Sequence, residues 1–301
     1  MHKHFRFLAA LALLGALPLV AEAQRDGDSV DTTLTISRGG IVQLDAVSGQ
    51  FRVVGSSRSD VRIQASIERG RLELSTSSSR IGLRTRSVGG RQTGARFEVE
   101  VPVGTRVAIG TVSGTIVVVG TMGEVTAKST SGNTEVRGAR DRLEIGSVSG
   151  EVDVRDATGR MSVESVSGTI HIEDVEGDLR AEAVSGDVNI RRARLTELRA
   201  NAMSGSVRYD GTIAPSGSYR LNSHSGSITM TIPAGTNALL DLETFSGRIN
   251  TDFPLTLQPG ETGGRRGRRM EFTLGQGGAR ITAGAFSGSI NIRRGSAGNR
   301  D

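Results

Sequence analysis

The chain has 301 residues but no cysteine, no tryptophan, six prolines and 3% aromatic residues. Without cysteine there are no disulfides, no thiolate nucleophile and no thiol metal site, so stability has to come from backbone ladders and packing. A globular core usually draws on bulky rings. Such a shortage fits a narrow interior filled by thin layers of Val, Ile, Leu and Ala. Long apolar runs are scarce as well. One run, Phe7 to Val20, is broken by Pro18, follows basic Lys3 and Arg6, and precedes Ala21-Glu22-Ala23, an A-x-A cleavage pattern. At about 14 residues it falls short of the roughly 20 that a spanning helix needs. The expectation is a signal peptide over residues 1–23, a product exported to the periplasm, the cell surface or the medium, no transmembrane segment after signal removal, and a single domain over 24–301. Charge of one sign is lacking too. Removing Lys3, Arg6 and Glu22 leaves 35 basic and 31 acidic residues, too small an excess to point to nucleic acid.

What the chain does contain is a repeat. Ser113-Gly114, Ser131-Gly132, Ser149-Gly150, Ser167-Gly168 and Ser185-Gly186 follow one another at 18 residues. The second residue after each Gly is aliphatic or small (Ile116, Thr134, Val152, Ile170, Val188) and the fourth is aliphatic (Val118, Val136, Val154, Ile172, Ile190). A second apolar pair stands at the eleventh and thirteenth positions, as in Leu143 with Ile145 and Met161 with Val163. Period two within a unit is strand geometry, and a fixed longer period is a stacked repeat. The fold class expected is all-β: a single parallel β-solenoid with coils of about 18 residues and two short strands per coil. Gly at the corner permits positive φ or a close approach of the next coil, and Ser bonds to local backbone. The Val before Ser-Gly (Val148, Val166, Val184) is a candidate for a short third inward face. A left-handed hexapeptide helix is excluded, because positions six and twelve beyond Val152 are Thr158 and Glu164.

The repeat begins by Val42 and runs to Ile292, with Ser48-Gly49 as an early unit. Stacked in chain order, 42–292 makes roughly 13 coils and a rod on the order of 60 Å. Residues 57–96 contain no Ser-Gly unit and read as degenerate coils forming a cap, with Arg80 to Gly94 looping out. After Ser185 the period loosens to Ser204, Ser225, Ser246 and Ser287, the last step of 41 residues spanning about two coils. An Arg-rich insertion is expected at 258–269.

The Val-Ser-Gly-x-Val-x-Val units, closing in Leu274-Gly275-Gln276-Gly277-Gly278-Ala279-Arg280-Ile281-Thr282 and Phe286-Ser287-Gly288-Ser289-Ile290-Asn291-Ile292, resemble the DUF4097 family, whose members are commonly labelled adhesins. The resemblance covers about 42–292 and departs from the family at 57–96 and at the Arg-rich insertion. It implies a β-solenoid of the bacterial envelope and brings no catalytic residue with it.

Three constellations bear on chemistry. No Ser lies in G-x-S-x-G, and the Ser-Gly series reads as a structural turn ladder. His171 and His224, the two histidines after residue 23, have no evident metal partner. Outward Glu135, Glu151, Asp153, Glu173 and Asp187 beside Arg137, Arg155 and Arg191 read as surface charge ladders, although the same residue types serve β-helix enzymes that act on acidic polysaccharides. The sharpest surface feature is Arg265, Arg266, Arg268 and Arg269, a candidate contact for an anionic envelope polymer or surface. The expected function is therefore a non-catalytic, adhesin-like binding or scaffolding protein of the cell envelope without cofactor or metal. A polysaccharide-acting β-helix enzyme and an envelope-stress or assembly accessory protein are the alternatives.

Overall fold

The computed structural model describes residues 28–88, 94–254 and 268–295; the expected signal peptide and most of the Arg-rich insertion lie outside them. Among the described residues all regular structure is β, and the sheets form a parallel β-solenoid.

One coil shows how the sequence makes it. Strand Arg142–Ser149 turns at Ser149-Gly150 into strand Val152–Arg155, turns again at Asp156, and returns through Ala157 to the next coil. Leu143, Ile145, Ser147, Val152, Val154 and Ala157 all point inward and are buried. Eighteen residues later Met161, Val163, Ser165, Ile170, Ile172 and Val175 repeat the layer, paired in parallel as Leu143↔Met161 and Val154↔Ile172. Alternation along each strand sends one set of side chains into the core, and stacking at about 4.8 Å satisfies every main-chain ladder between coils. The third inward position is thus the one after the second corner (Thr121, Ala139, Ala157, Val175, Ala193). The Val preceding Ser-Gly, expected to supply it, faces solvent instead.

The two corners differ physically. At the second, the chain passes through left-handed backbone at one column, Gly120 (φ 67°), Gly138 (φ 70°), Asp156 (φ 53°), Asp174 (φ 55°) and Arg192 (φ 47°); the column changes residue type because Asp tolerates this region. At the Ser-Gly corner Gly is kept for another reason. A Cβ on Gly168 would fall on the carbonyl oxygen of Gly150, and one on Gly226 on that of Gly205. Gly114, Gly205 and Gly226 do not have positive φ, so close approach of successive coils is the common cause.

The order of coils is not the order of the chain. Ser48 pairs with Ser113 across 65 residues, and strand Ile41–Ser56 carries Arg80–Arg86 and Ala95–Pro102 on its other side. At the far end Ser225 pairs with Ser287, and Ser287 with Ser246. The last unit of the chain therefore inserts between the two before it, and the corner glycines stack as Gly226, Gly288, Gly247. This overturns stacking in chain order. Ten Ser-Gly corners plus the layer of Arg80–Arg86 and Ala95–Pro102 give eleven coils, hence about 48 Å between the first and last at one strand spacing each.

The region of 57–96 is only in part the degenerate coils expected: Arg80–Arg86 with Ala95–Pro102 makes one coil without Ser-Gly, and the strands before it form an antiparallel cap. Asp60–Ile67 runs antiparallel to Ala95–Pro102 with Asp28–Thr35 outside it, and Arg71–Thr76 runs antiparallel to Arg80–Arg86, which is a strand and not a loop. Arg268–Leu274 covers Ala238–Ser246 in the same way at the other end. Antiparallel strands blunt the open edges of the stack. Where the coils lengthen near residues 193–218, Tyr209 and Tyr219 fill the wider interior edge to face, with centroids 5.8 Å apart. Burial pushes both phenols up from their ordinary value.

Candidate functional site

The site is a column, built by the parity of the first strand of each coil. Because Leu143, Ile145 and Ser147 point inward, Gly146 and Val148 point outward, and the pairing carries this register from coil to coil. In spatial order the column before Ser-Gly reads Val47, Val112, Thr130, Val148, Val166, Val184, Met203, His224, Phe286, Phe245. Its Val, Met and Phe members are 43–58% exposed. The three rings stack: His224 on Phe286 at 4.7 Å and Phe286 on Phe245 at 4.9 Å, nearly parallel. Stacking like on like contributes about 0.2–1 kcal/mol per pair, yet leaves half of each side chain in water over ten coils, about 43 Å. A contiguous exposed apolar strip of this kind marks an interaction surface.

Beside the column runs a shallow groove of about 1080 Å³, extending from Asp45 to His224. Small residues make its floor. Inward Ser129 donates to the carbonyl of Ser131 at 3.1 Å, Ser223 to Gly205 at 2.9 Å and Thr244 to Gly288 at 2.9 Å, whereas Ser165 in the same column has its Oγ buried without a partner. The charged residues along the groove are Asp45, Glu164 and Glu182 with Arg84 and Lys128, and Arg180 engages Glu182 at 2.8 Å and Glu164 at 3.9 Å. Burial raises the Asp187 carboxyl, but the Ser206 N–H and Arg208 outweigh it and hold it below the ordinary range.

The residues singled out from sequence are placed as follows. Ser113, Ser131, Ser149, Ser167 and Ser185 with Gly114, Gly132, Gly150, Gly168 and Gly186 stack in register along one edge. Arg265 and Arg266 lie outside the described residues. Arg268 and Arg269 begin a strand, opposite Thr244 and Glu243. The Arg269 guanidinium is engaged by Asp241 at 3.0 Å and Glu271 at 2.6 Å. The charge ladders form as expected: Glu135 with Arg137, Asp153 with Arg155 at 2.7 Å, and Glu173 with Arg192 at 2.7 Å. Arg192, rather than Arg191, also grips Asp174 with two hydrogen bonds, and these hold the Asp174 carboxyl below its ordinary range. His171 meets Glu151 at 3.1 Å. Among the described residues no group of three His, Cys, Asp or Glu is arranged to hold a metal ion, and no helix is long and apolar enough to cross a membrane. The strip itself was missed as a surface, although the signal was present: counting by twos from Leu143 puts residue 148 outside.

The model of the Toastrack DUF4097 family matches residues 70–213. Over this stretch the chain is similar to that family. The stretch runs from the antiparallel cap at Arg71–Thr76 into strand Val207–Ser225, and so includes the strip from Val112 to Met203. No curated protein matches the chain. Among solved structures, the chain is similar to a protein described as an adhesin from Bacteroides fragilis (10% identity, 88% of this chain and 97% of that one, TM-score 0.44). It is similar also to one so described from Parabacteroides merdae (11% identity, 88% and 95%, TM-score 0.30). A protein described as a cell adhesion protein from Clostridium sporogenes shares 10% identity over 89% of this chain and 100% of that one, with a TM-score of 0.22. No residue role is carried over from them.

Proposed function

We propose that this chain is a non-catalytic, adhesin-like binding or scaffolding rod of the cell envelope, exported by residues 1–23, whose contact surface is the apolar strip and its groove. The observation that carries this reading is the strip itself: eight of ten successive outward positions are Val, Met or Phe, all about half exposed. A solenoid repeats that contact many times, so weak single contacts add up along an extended partner. The non-catalytic part rests on the carboxylates, which in four successive coils are engaged with Arg, as Glu135, Asp153, Glu173 and Asp187 are. A general acid or base has to reach a substrate proton instead.

The test uses the chain without residues 1–23. Its retention on peptidoglycan, lipopolysaccharide and phospholipid vesicles is measured beside that of a variant carrying V148S, V166S and V184S. Retention on at least one material, lost in the variant at unchanged melting temperature, is the expected result. Equal retention by both forms removes the strip from the function. New reducing ends or unsaturated products from a polysaccharide would show an enzyme.

A further inference from the structure

The two ends of the stack fit one another. We propose that copies of this chain join head to tail, the end at Arg268–Leu274 of one copy seated on the end at Arg71–Thr76 of the next, so that both sheets run on through the junction. The join lies at the ends, apart from the strip, and does not depend on what the strip binds.

Three observations carry it. The first is unpaired main chain. At one end Arg268–Leu274 pairs only with Ala238–Ser246, and Ile249–Thr251 only with Ile290–Gly295. At the other, Arg71–Thr76 pairs only with Arg80–Arg86, and Asp28–Thr35 only with Asp60–Ile67. Among the described residues, each of these four strands therefore keeps an outer edge without a second strand, and such a row of N–H and C=O groups is a template for another chain. One of the N–H groups is already held: that of Leu72 donates to the Asp28 carboxylate at 2.9 Å.

The second observation is height and direction. The sheet that contains Arg142–Ser149 is extended by one strand at each end, Arg268–Leu274 and Arg71–Thr76. The sheet that contains Val152–Arg155 stops at Ile249–Thr251 at one end and is extended by two strands, Asp60–Ile67 and Asp28–Thr35, at the other. Each sheet thus counts eleven coils and two end strands, thirteen layers, and the step at one end fills the step at the other. Seating one copy on the next lays Arg268–Leu274 beside Arg71–Thr76 and Ile249–Thr251 beside Asp28–Thr35. Both new pairs are parallel, because the first two strands run against the coils and the second two run with them.

The third observation is what the columns bring together when they stay in register. Outward, Arg269 meets Glu73 of the next copy, and the column across the junction reads Glu243, Arg269, Glu73, Arg84, Asp45, the sign alternating at every step. Within one copy Arg269 also meets Asp241 and Glu271, and Glu73 meets Arg84 and Arg86; the two side chains remain 48% and 35% exposed, so two charge ladders end on opposite signs open to water. Arg268 arrives at Leu72, beside the Asp28 carboxylate. Inward, Met270 meets Leu74 and Ile249 meets Val30. These are apolar side chains that the ends leave partly uncovered: Leu74 is 38% exposed, and Met270, Ile249 and Val30 border the core without being buried in it.

The test follows the chain lacking residues 1–23 by sedimentation velocity over a concentration series and by electron microscopy of negatively stained particles. Association should continue past the dimer as concentration rises, and rods should lengthen in steps of about 62 Å, thirteen strand spacings. E73R and R269E, each alone, should weaken association about tenfold, since like charges then stand opposite one another. An equimolar mixture of E73R and R269E should restore it, because every mixed junction again opposes unlike charges; a variant that merely misfolds gives no such rescue. The variant with V148S, V166S and V184S should associate as the parent does. A parent that stays single at every concentration or stops at a dimer overturns the proposal, the latter in favour of like ends joined. It is overturned as well by a mixture that associates no better than its parts, or by loss of association in the valine variant, which would place the contact on the strip.

Discussion

Thr134 occupies a column that in neighbouring coils holds Ile116, Val152, Ile170 and Val188, and its Oγ1 is buried without a partner. A buried hydroxyl that makes no hydrogen bond costs about 1–3 kcal/mol. Thr134→Val keeps the shape and removes the oxygen, so it should stabilise the fold by about 1 kcal/mol, read as a melting temperature higher by a few degrees. A lower melting temperature would show that the oxygen is bonded after all. At this scale the sequence is a good guide: alternation alone assigns Thr134 to the core, and parity alone assigns Val148 to the surface. Reading Val148 as a third inward face took hydrophobicity over parity, and parity won because the strand stays straight up to the corner.

Corners are where the elements are decided. The Ser-Gly ladder was legible as a turn, but two causes were open, positive φ and close approach. Stacked main chains settle it, since a Cβ on Gly168 would occupy the space of the Gly150 carbonyl. Gly168→Ala should therefore cost about 1–3 kcal/mol by overpacking. Ser167→Ala, at an exposed position beside it, should stay within about 0.5 kcal/mol. Urea titration of the two single variants separates them, and equal destabilisation would count against the close-approach account. The second corner was not legible in this detail, because its column changes from Gly to Asp to Arg while the backbone stays left-handed.

For the whole molecule, the strand order has a measurable consequence. Strand Ala279–Ser287, near the end of the chain, lies between Val207–Ser225 and Ala238–Ser246, whereas Arg268–Leu274 pairs only outward of the last coil. Hydrogen exchange of interior strands requires opening on both sides. Amides of residues 279–287 should exchange as slowly as those of 143–149, and amides of 268–274 sooner. If 279–287 exchange as a fraying terminus, the inserted order is wrong.

The sequence by itself determined the coil: its 18-residue period, its inward columns, its glycine corners and its all-β class. These follow from alternation and from contacts between equivalent residues, which repeat in every unit and so are written in every unit. The tertiary structure alone decided which coil lies on which, how the ends are closed, and that one outward column joins into a strip 43 Å long by about 4.8 Å steps. The reason is that the corners are nearly interchangeable. Ser225-Gly226, Ser246-Gly247 and Ser287-Gly288 carry the same corner, and in the structure Ser287 lies on Ser225 while Arg268–Leu274 covers the open edge of Ala238–Ser246.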